Sequence, residues 1–128
     1  MSKLSKGKRI EREVANILRQ MDYAIYKPVH TRYGAKDIFG LFDIIAVKSK
    51  DSISKFPDLF LIQVKTNKTD YYSAKGKIKR WLEEYKLPKS VGVGVWLRES
   101  KSHHRIYIIH EGKEYVKKWV IVDDTFNN

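Results

Sequence analysis

The sequence predicts a mixed α/β fold, with helices packed against a central mixed sheet in one domain spanning residues 1–128. Three observations predict it. A chain of 128 residues is long enough to bury one core of several strands and two or three helices. Apolar residues recur at helical spacing in two stretches and in short strand-like runs elsewhere. The resulting order is helix, three strands, helix, three strands.

Ser5 is a candidate cap for a first helix from Gly7 to Asp22. Ile10, Val14, Ile17, Leu18 and Met21 form its apolar stripe, and Arg9, Arg12, Glu13, Asn16, Arg19 and Gln20 surround it. Tyr23 to Val29 reads as a strand bounded by Pro28. His30 to Leu41 holds Gly34 and Gly40 and reads as a loop. Phe42 to Lys48 and Asp58 to Thr66 read as two strands joined across a polar turn region, Lys50 to Pro57. A second helix is expected from Ser73 to Lys86. Its core face is Ile78, Trp81, Leu82 and Tyr85, and Leu87-Pro88 ends it. Val91 to Leu97, His104 to His110 and Tyr115 to Val122 complete the strands, with Gly112 marking the turn between the last two.

Charge narrows the function. Twenty-six Lys and Arg against fifteen Asp and Glu give a net +11, which calls for an anionic partner. Nucleic acid comes first and a membrane surface second. The basic residues do not gather into one amphipathic helix, which disfavours the membrane. The plain alternative is a lysine-rich solvated surface. There is no cysteine, so disulfides, thiolate metal sites and thiol nucleophiles are excluded, and an intracellular, cytoplasmic location is favoured. Met1 to Arg12 is basic with no apolar run behind it, and no apolar run approaches a membrane span.

One constellation carries chemistry. Asp43 opens an apolar strand and shares a face with Ile45 and Val47; Leu61, Gln63 and Lys65 share a face on the next. A half-buried carboxylate, amide and ammonium are each costly without partners. If the strands pair with matching faces, Asp43 and the Gln63 side-chain oxygen can bind a divalent cation, Mg²⁺ or Mn²⁺, beside Lys65. Phosphodiester cleavage needs such a set: an activated water, compensation of phosphoryl charge and a nearby cation. The plain alternative is an edge-of-strand cap at Asp43 and a solvated polar face at Gln63-Val64-Lys65.

Three stretches also resemble the PD-(D/E)XK nuclease superfamily, in particular archaeal-type Holliday junction resolvases and related phage nucleases. They are Gly7 to Glu13 (GKRIERE), Gly40 to Ala46 (GLFDIIA) and Ile62 to Lys65 (IQVK), in the family's order. The resemblance covers roughly residues 7 to 97. It implies a restriction-endonuclease-like core and a divalent-metal-dependent DNA endonuclease, on branched or double-stranded DNA and as a homodimer. It matches Asp43 to the metal-binding Asp, Gln63 to the usual Glu or Asp, Lys65 to the motif lysine and Glu11 to the helix-one glutamate. Two departures stand out: Phe42 replaces the motif proline, and Gln63 is neutral where a carboxylate is usual. The second weakens cation affinity and keeps a catalytically silent nucleic-acid-binding subunit as an alternative, beside a nicking or restriction-like nuclease. Periodicity does not choose between Glu11 and Glu13, which flank the apolar stripe; the resemblance implies Glu11.

Arg32 and Lys36, in the loop before Asp43, are candidate phosphate contacts, as are Lys68 and Lys75 in a basic stretch that also holds Tyr71 and Tyr72. Asp37 is not expected to be a ligand. His103 and His104 alternate faces on a strand, so no joint chelate is expected. Lys117, Lys118 and Trp119 read as strand and surface, with an outward Trp119 as a possible dimer contact.

Overall fold

A computed structural model describes residues 5–28 and 38–121. The elements are α1 (Ser5–Gln20), β1 (Tyr23–Tyr26), β2 (Ile44–Lys48), β3 (Leu59–Lys65), α2 (Lys68–Glu84), β4 (Val91–Arg98), β5 (His103–His110) and β6 (Lys113–Val120). The six strands form one mixed sheet in chain order. Only β3 and β4 pair in parallel; the other neighbours are antiparallel. Helix α2 is the crossover that a parallel pair requires.

Each helix covers one sheet face, as strand alternation dictates. Val14 and Leu18 of α1 pack with Ile44, Ala46, Phe60 and Ile62. Tyr71, Ala74 and Ile78 of α2 pack with Leu61, Val93, Val95 and Leu97. Strands β3 and β4 are therefore buried on both sides, which explains their near-continuous apolar runs. Gly94 lies where no side chain fits. A Cβ there would strike the Tyr107 carbonyl oxygen and sit 3.0 Å from the Phe60 ring.

Several boundaries differ from expectation. Helix α1 is described from Ser5, two residues before Gly7, and ends at Gln20. Strand β1 stops at Tyr26, and β2 starts at Ile44, leaving Phe42 and Asp43 before it. Strand β6 starts at Lys113, directly after a two-residue turn in which Glu111 and Gly112 both adopt left-handed φ, 56° and 76°. Phe56 lies in the expected polar turn but is 3% exposed, packed on Phe60, Trp96 and Trp119. Trp119 accordingly packs inward on the α1 side instead of projecting outward.

Helix α2 starts five residues earlier than Ser73, because Asn67 caps it. The Asn67 Oδ1 accepts the Asp70 N–H at 2.8 Å, and its Nδ2 donates to Asp70 Oδ2 at 2.9 Å. Tyr85 is the C-cap and is exposed rather than part of the core face. We expect Asn67→Ala to lower stability by about 1 kcal/mol. An unchanged denaturation midpoint would show that the cap contributes nothing.

On the α1 side, Trp96 Nε1 donates to His104 Nδ1 at 2.7 Å, and His104 Nε2 lies 3.4 Å from the Lys101 carbonyl. The neutral tautomer with its proton on Nε2 satisfies both contacts. Burial holds the His104 imidazole below its ordinary pKa, with the Lys101 contact and Glu13 offsetting only part. A depressed folded pKa means that the unfolded chain takes up the proton first. This contribution is therefore present above about pH 6.5 and is lost as pH falls toward the folded value. The thermal midpoint should drop in that window. A His104 ring titration by NMR with a pKa at or above the ordinary histidine value would refute it.

Candidate active site

A tight turn delivers Asp43. Ile38 and Phe42 exchange two backbone hydrogen bonds, and Leu41 N–H donates to the Ile38 carbonyl at 3.0 Å. The two central residues, Phe39 and Gly40, both have positive φ, 55° and 70°. Glycine adopts this freely, whereas Phe39 is strained there. Its ring rests against Trp81 with centroids 5.6 Å apart. Phe42 is fully buried, edge-on to the same indole at 5.4 Å. Phe42 thus anchors the turn to α2.

Asp43 then clasps β3. Its N–H donates to the Ile62 carbonyl at 2.8 Å, and its Oδ2 accepts the Val64 N–H at 2.8 Å. The two bonds bracket Gln63. The register Ile45↔Leu61 puts β2 and β3 together as expected. Asp43 itself lies in a bend just before β2, so it is held by this clasp and not by strand alternation.

Gln63 and Lys65 continue the face of Leu61, toward α2. Gln63 is 8% exposed, and its Oε1 is buried without a hydrogen-bond partner. An orphaned buried carbonyl is costly and wants a donor or a cation. Beside it is a small cleft of about 50 Å³, lined by Gln63, Lys65, Asp70, Ser73, Ala74 and Lys77. Asp43 is not among the lining residues; it flanks the same segment of β3 from the β2 side. Asp70 and Ser73 were not foreseen as part of this site. The signal for Asp70 was present in the pattern Asn67-x-x-Asp70, which marks a capped helix start two residues beyond Lys65.

The other candidates are placed as follows. Glu13 makes a two-pronged ion pair with Arg98 at the end of β4, at 2.9 and 3.3 Å, so it holds a structural role. Glu11 is half-exposed on α1, the helix of the face opposite the cleft. Lys68 is the first residue of α2 and is exposed beside the cleft-forming turn. Lys75 is half-buried, its Nζ lying over the rings of Tyr107, Tyr72 and Tyr71 at 4.5, 5.2 and 5.5 Å. Tyr71 is core and Tyr72 is 54% exposed. Arg32, Lys36 and Asp37 lie outside the described residues. His103 is exposed and His104 buried, on opposite faces as expected. Among the described residues, no three or more His, Asp or Glu side chains gather as a metal-binding group. No described helix is long and apolar enough to cross a membrane.

The chain matches no known family model, no curated protein and no solved structure.

Proposed function

We propose that the chain is a divalent-metal-dependent endonuclease that hydrolyses DNA phosphodiester bonds, built on a restriction-endonuclease-like core. The observation that carries the reading is the Asp43 clasp. It holds a carboxylate against the backbone of β3 at Val64, the residue between Gln63, whose side-chain oxygen is buried without a partner, and Lys65.

The donor set fits a hard cation, Mg²⁺ or Mn²⁺, because all of its ligands are oxygens. Such a cation, once bound, lowers the pKa of a coordinated water and neutralises phosphoryl charge. The protein's own groups divide the remaining work. Asp43 and Gln63 would fix the ligand positions; Glu11, the further ligand that the resemblance implies, lies on the helix of the opposite face and is not assigned to this set. Lys65 offers an ammonium to charge developing on the phosphoryl oxygens. Lys68, with Arg32 and Lys36 from the sequence before Asp43, grips the backbone, while the +11 net charge draws DNA in. A four-way junction is the substrate that a two-fold homodimer would suit, since two sites could then cut symmetrically placed strands.

The neutral Gln63 favours a second reading, a silent DNA-binding subunit of the same fold. One assay separates the two. Purified protein is incubated with supercoiled plasmid, linear duplex and a four-way junction, each with Mg²⁺, Mn²⁺ or EDTA. Metal-dependent cutting is expected. Tight binding without cutting under any metal would favour the silent subunit, and equal cutting of all three DNAs would remove junction specificity.

A further inference from the structure

We infer that β6 is the surface through which two copies of this chain associate, pairing edge to edge and antiparallel, centred on Val116, into one continuous sheet; this rests on the homodimer named in the reading above.

The two ends of the sheet differ. Strand β1 is four residues long and β6 is eight, and among the described residues no strand lies beyond either. Native edges are blunted by short length, bulges, proline or charge. β1 is short. β6 has no proline, and its register with β5 runs unbroken from Lys113 to Val120, so only charge protects it. Ile121 N–H donates to the Ser102 carbonyl at 2.8 Å. By alternation Trp119, Lys117, Tyr115 and Lys113 also turn their backbone groups toward β5. The N–H and C=O of Glu114, Val116, Lys118 and Val120 therefore point away from the sheet, a row that another strand can pair with. Val116 and Val120 are 48% and 58% exposed there.

Charge selects a second copy as that strand. A two-fold axis perpendicular to the sheet sets one residue of β6 opposite itself. Centring on Glu114, Lys117 or Lys118 puts like charges face to face, and centring on Tyr115 sets Lys113 against Lys117. Centres nearer the ends pair three residues at most. Centring on Val116 avoids every such clash. Glu114 then lies opposite the partner's Lys118, twice over, with Val116 against Val116 between them and Tyr115 opposite Lys117. Glu114 is ready for this contact. The Tyr107 hydroxyl at 2.8 Å and Lys79 Nζ at 3.3 Å both meet its Oε1, and a carboxylate has two oxygens. The same axis keeps both α2 helices on one side of the joined sheet. The two β3 strands, with Gln63 and Lys65 facing that side, are then seven strand spacings apart, about 34 Å along the sheet at about 4.8 Å each.

Sedimentation velocity of the full chain over a range of concentrations tests the interface, with no DNA or metal present. We expect reversible dimerisation in the micromolar range, because one strand pair is a small interface. Lys118→Glu opposes two carboxylates at two places and should weaken association roughly tenfold or more. Adding Glu114→Lys to Lys118→Glu exchanges the charges and should restore it. Val116→Pro removes an outward N–H and no bond to β5, so it should abolish dimerisation in a chain that still folds by circular dichroism. Lys118→Glu carries the test should Val116→Pro fail to fold. The chain has no cysteine, so the register can also be read directly. On oxidation Val116→Cys should form a disulfide-linked dimer, since directly opposed Cα atoms lie about 5.5 Å apart, and Val120→Cys should not. A chain that stays monomeric at every concentration, or a dimer indifferent to Lys118→Glu, overturns the interface whatever the chain does to DNA. Equal cross-linking at both positions overturns the register. A dimer that meets these expectations but cuts no DNA leaves the interface standing and removes the nuclease reading.

Discussion

Asp43→Ala is expected to lower metal-dependent DNA cleavage by a factor on the order of 10³, with DNA binding kept. The estimate follows from what the carboxylate does in the proposed site. Losing it removes a charged ligand, and with it several kcal/mol of cation-derived stabilisation of the phosphoryl charge; each 1.36 kcal/mol is about tenfold in rate. The same change leaves the Val64 N–H without its acceptor, which costs about 1–3 kcal/mol of stability. Activity and folding must therefore be separated. Asp43→Asn does so, because its amide oxygen can still accept from Val64 while the charge is gone. We expect it to melt near the parent and to cut as poorly as the alanine variant. Parent-level cutting of plasmid by Asp43→Asn would remove Asp43 from the chemistry.

Gly94→Ala should be a strongly damaging small substitution in the sheet. The added Cβ meets a backbone carbonyl, that of Tyr107, and the fully buried Phe60 ring. A side-chain tip can swing away, but a strand carbonyl cannot move without its neighbours. Overpacking of a tight core costs about 1–3 kcal/mol, and a clash with backbone belongs at the upper end. Of a typical stability of about 5–15 kcal/mol, that is a large share. The thermal midpoint should fall by roughly 10 °C. Gly94 pairs with Ile62, one residue before Gln63, so relief of the clash by strand displacement would also disturb the candidate site. A midpoint within a degree or two of the parent would show that β4 and β5 part more easily than their packing suggests.

The two helices and six strands were legible because each has an apolar pattern that only one period fits. Ile10, Val14 and Leu18 recur every four residues, and the last two strands flank a Glu-Gly turn. What was missed depends on partners distant in sequence. Phe56 sits among polar residues, and nothing local announces that Phe60, Trp96 and Trp119 converge on it. The early start of α2 was readable from Asn67 and Asp70, but Thr69 between them and the two tyrosines after Asp70 obscured a capping pattern. Strand alternation and motif order both single out Asp43, Gln63 and Lys65, and the structure sets Asp43 against the segment of β3 that carries the other two. The clasp on Val64 and the presence of Asp70 in the cleft needed the strand register and the helix start together. Of the two helix-one glutamates, the Arg98 ion pair accounts for Glu13, which periodicity alone could not do.

The clasp of Asp43 on β3 bears on how this chain can change over time. The residue is tied to β3 by two bonds, and the turn before it is wedged under Trp81 through Phe42. Its position is thus tied to β3 and, through the turn, to α2 as well. Substitutions that shift α2 on the sheet would therefore be felt at Asp43, so drift in helix packing and drift at this residue are coupled.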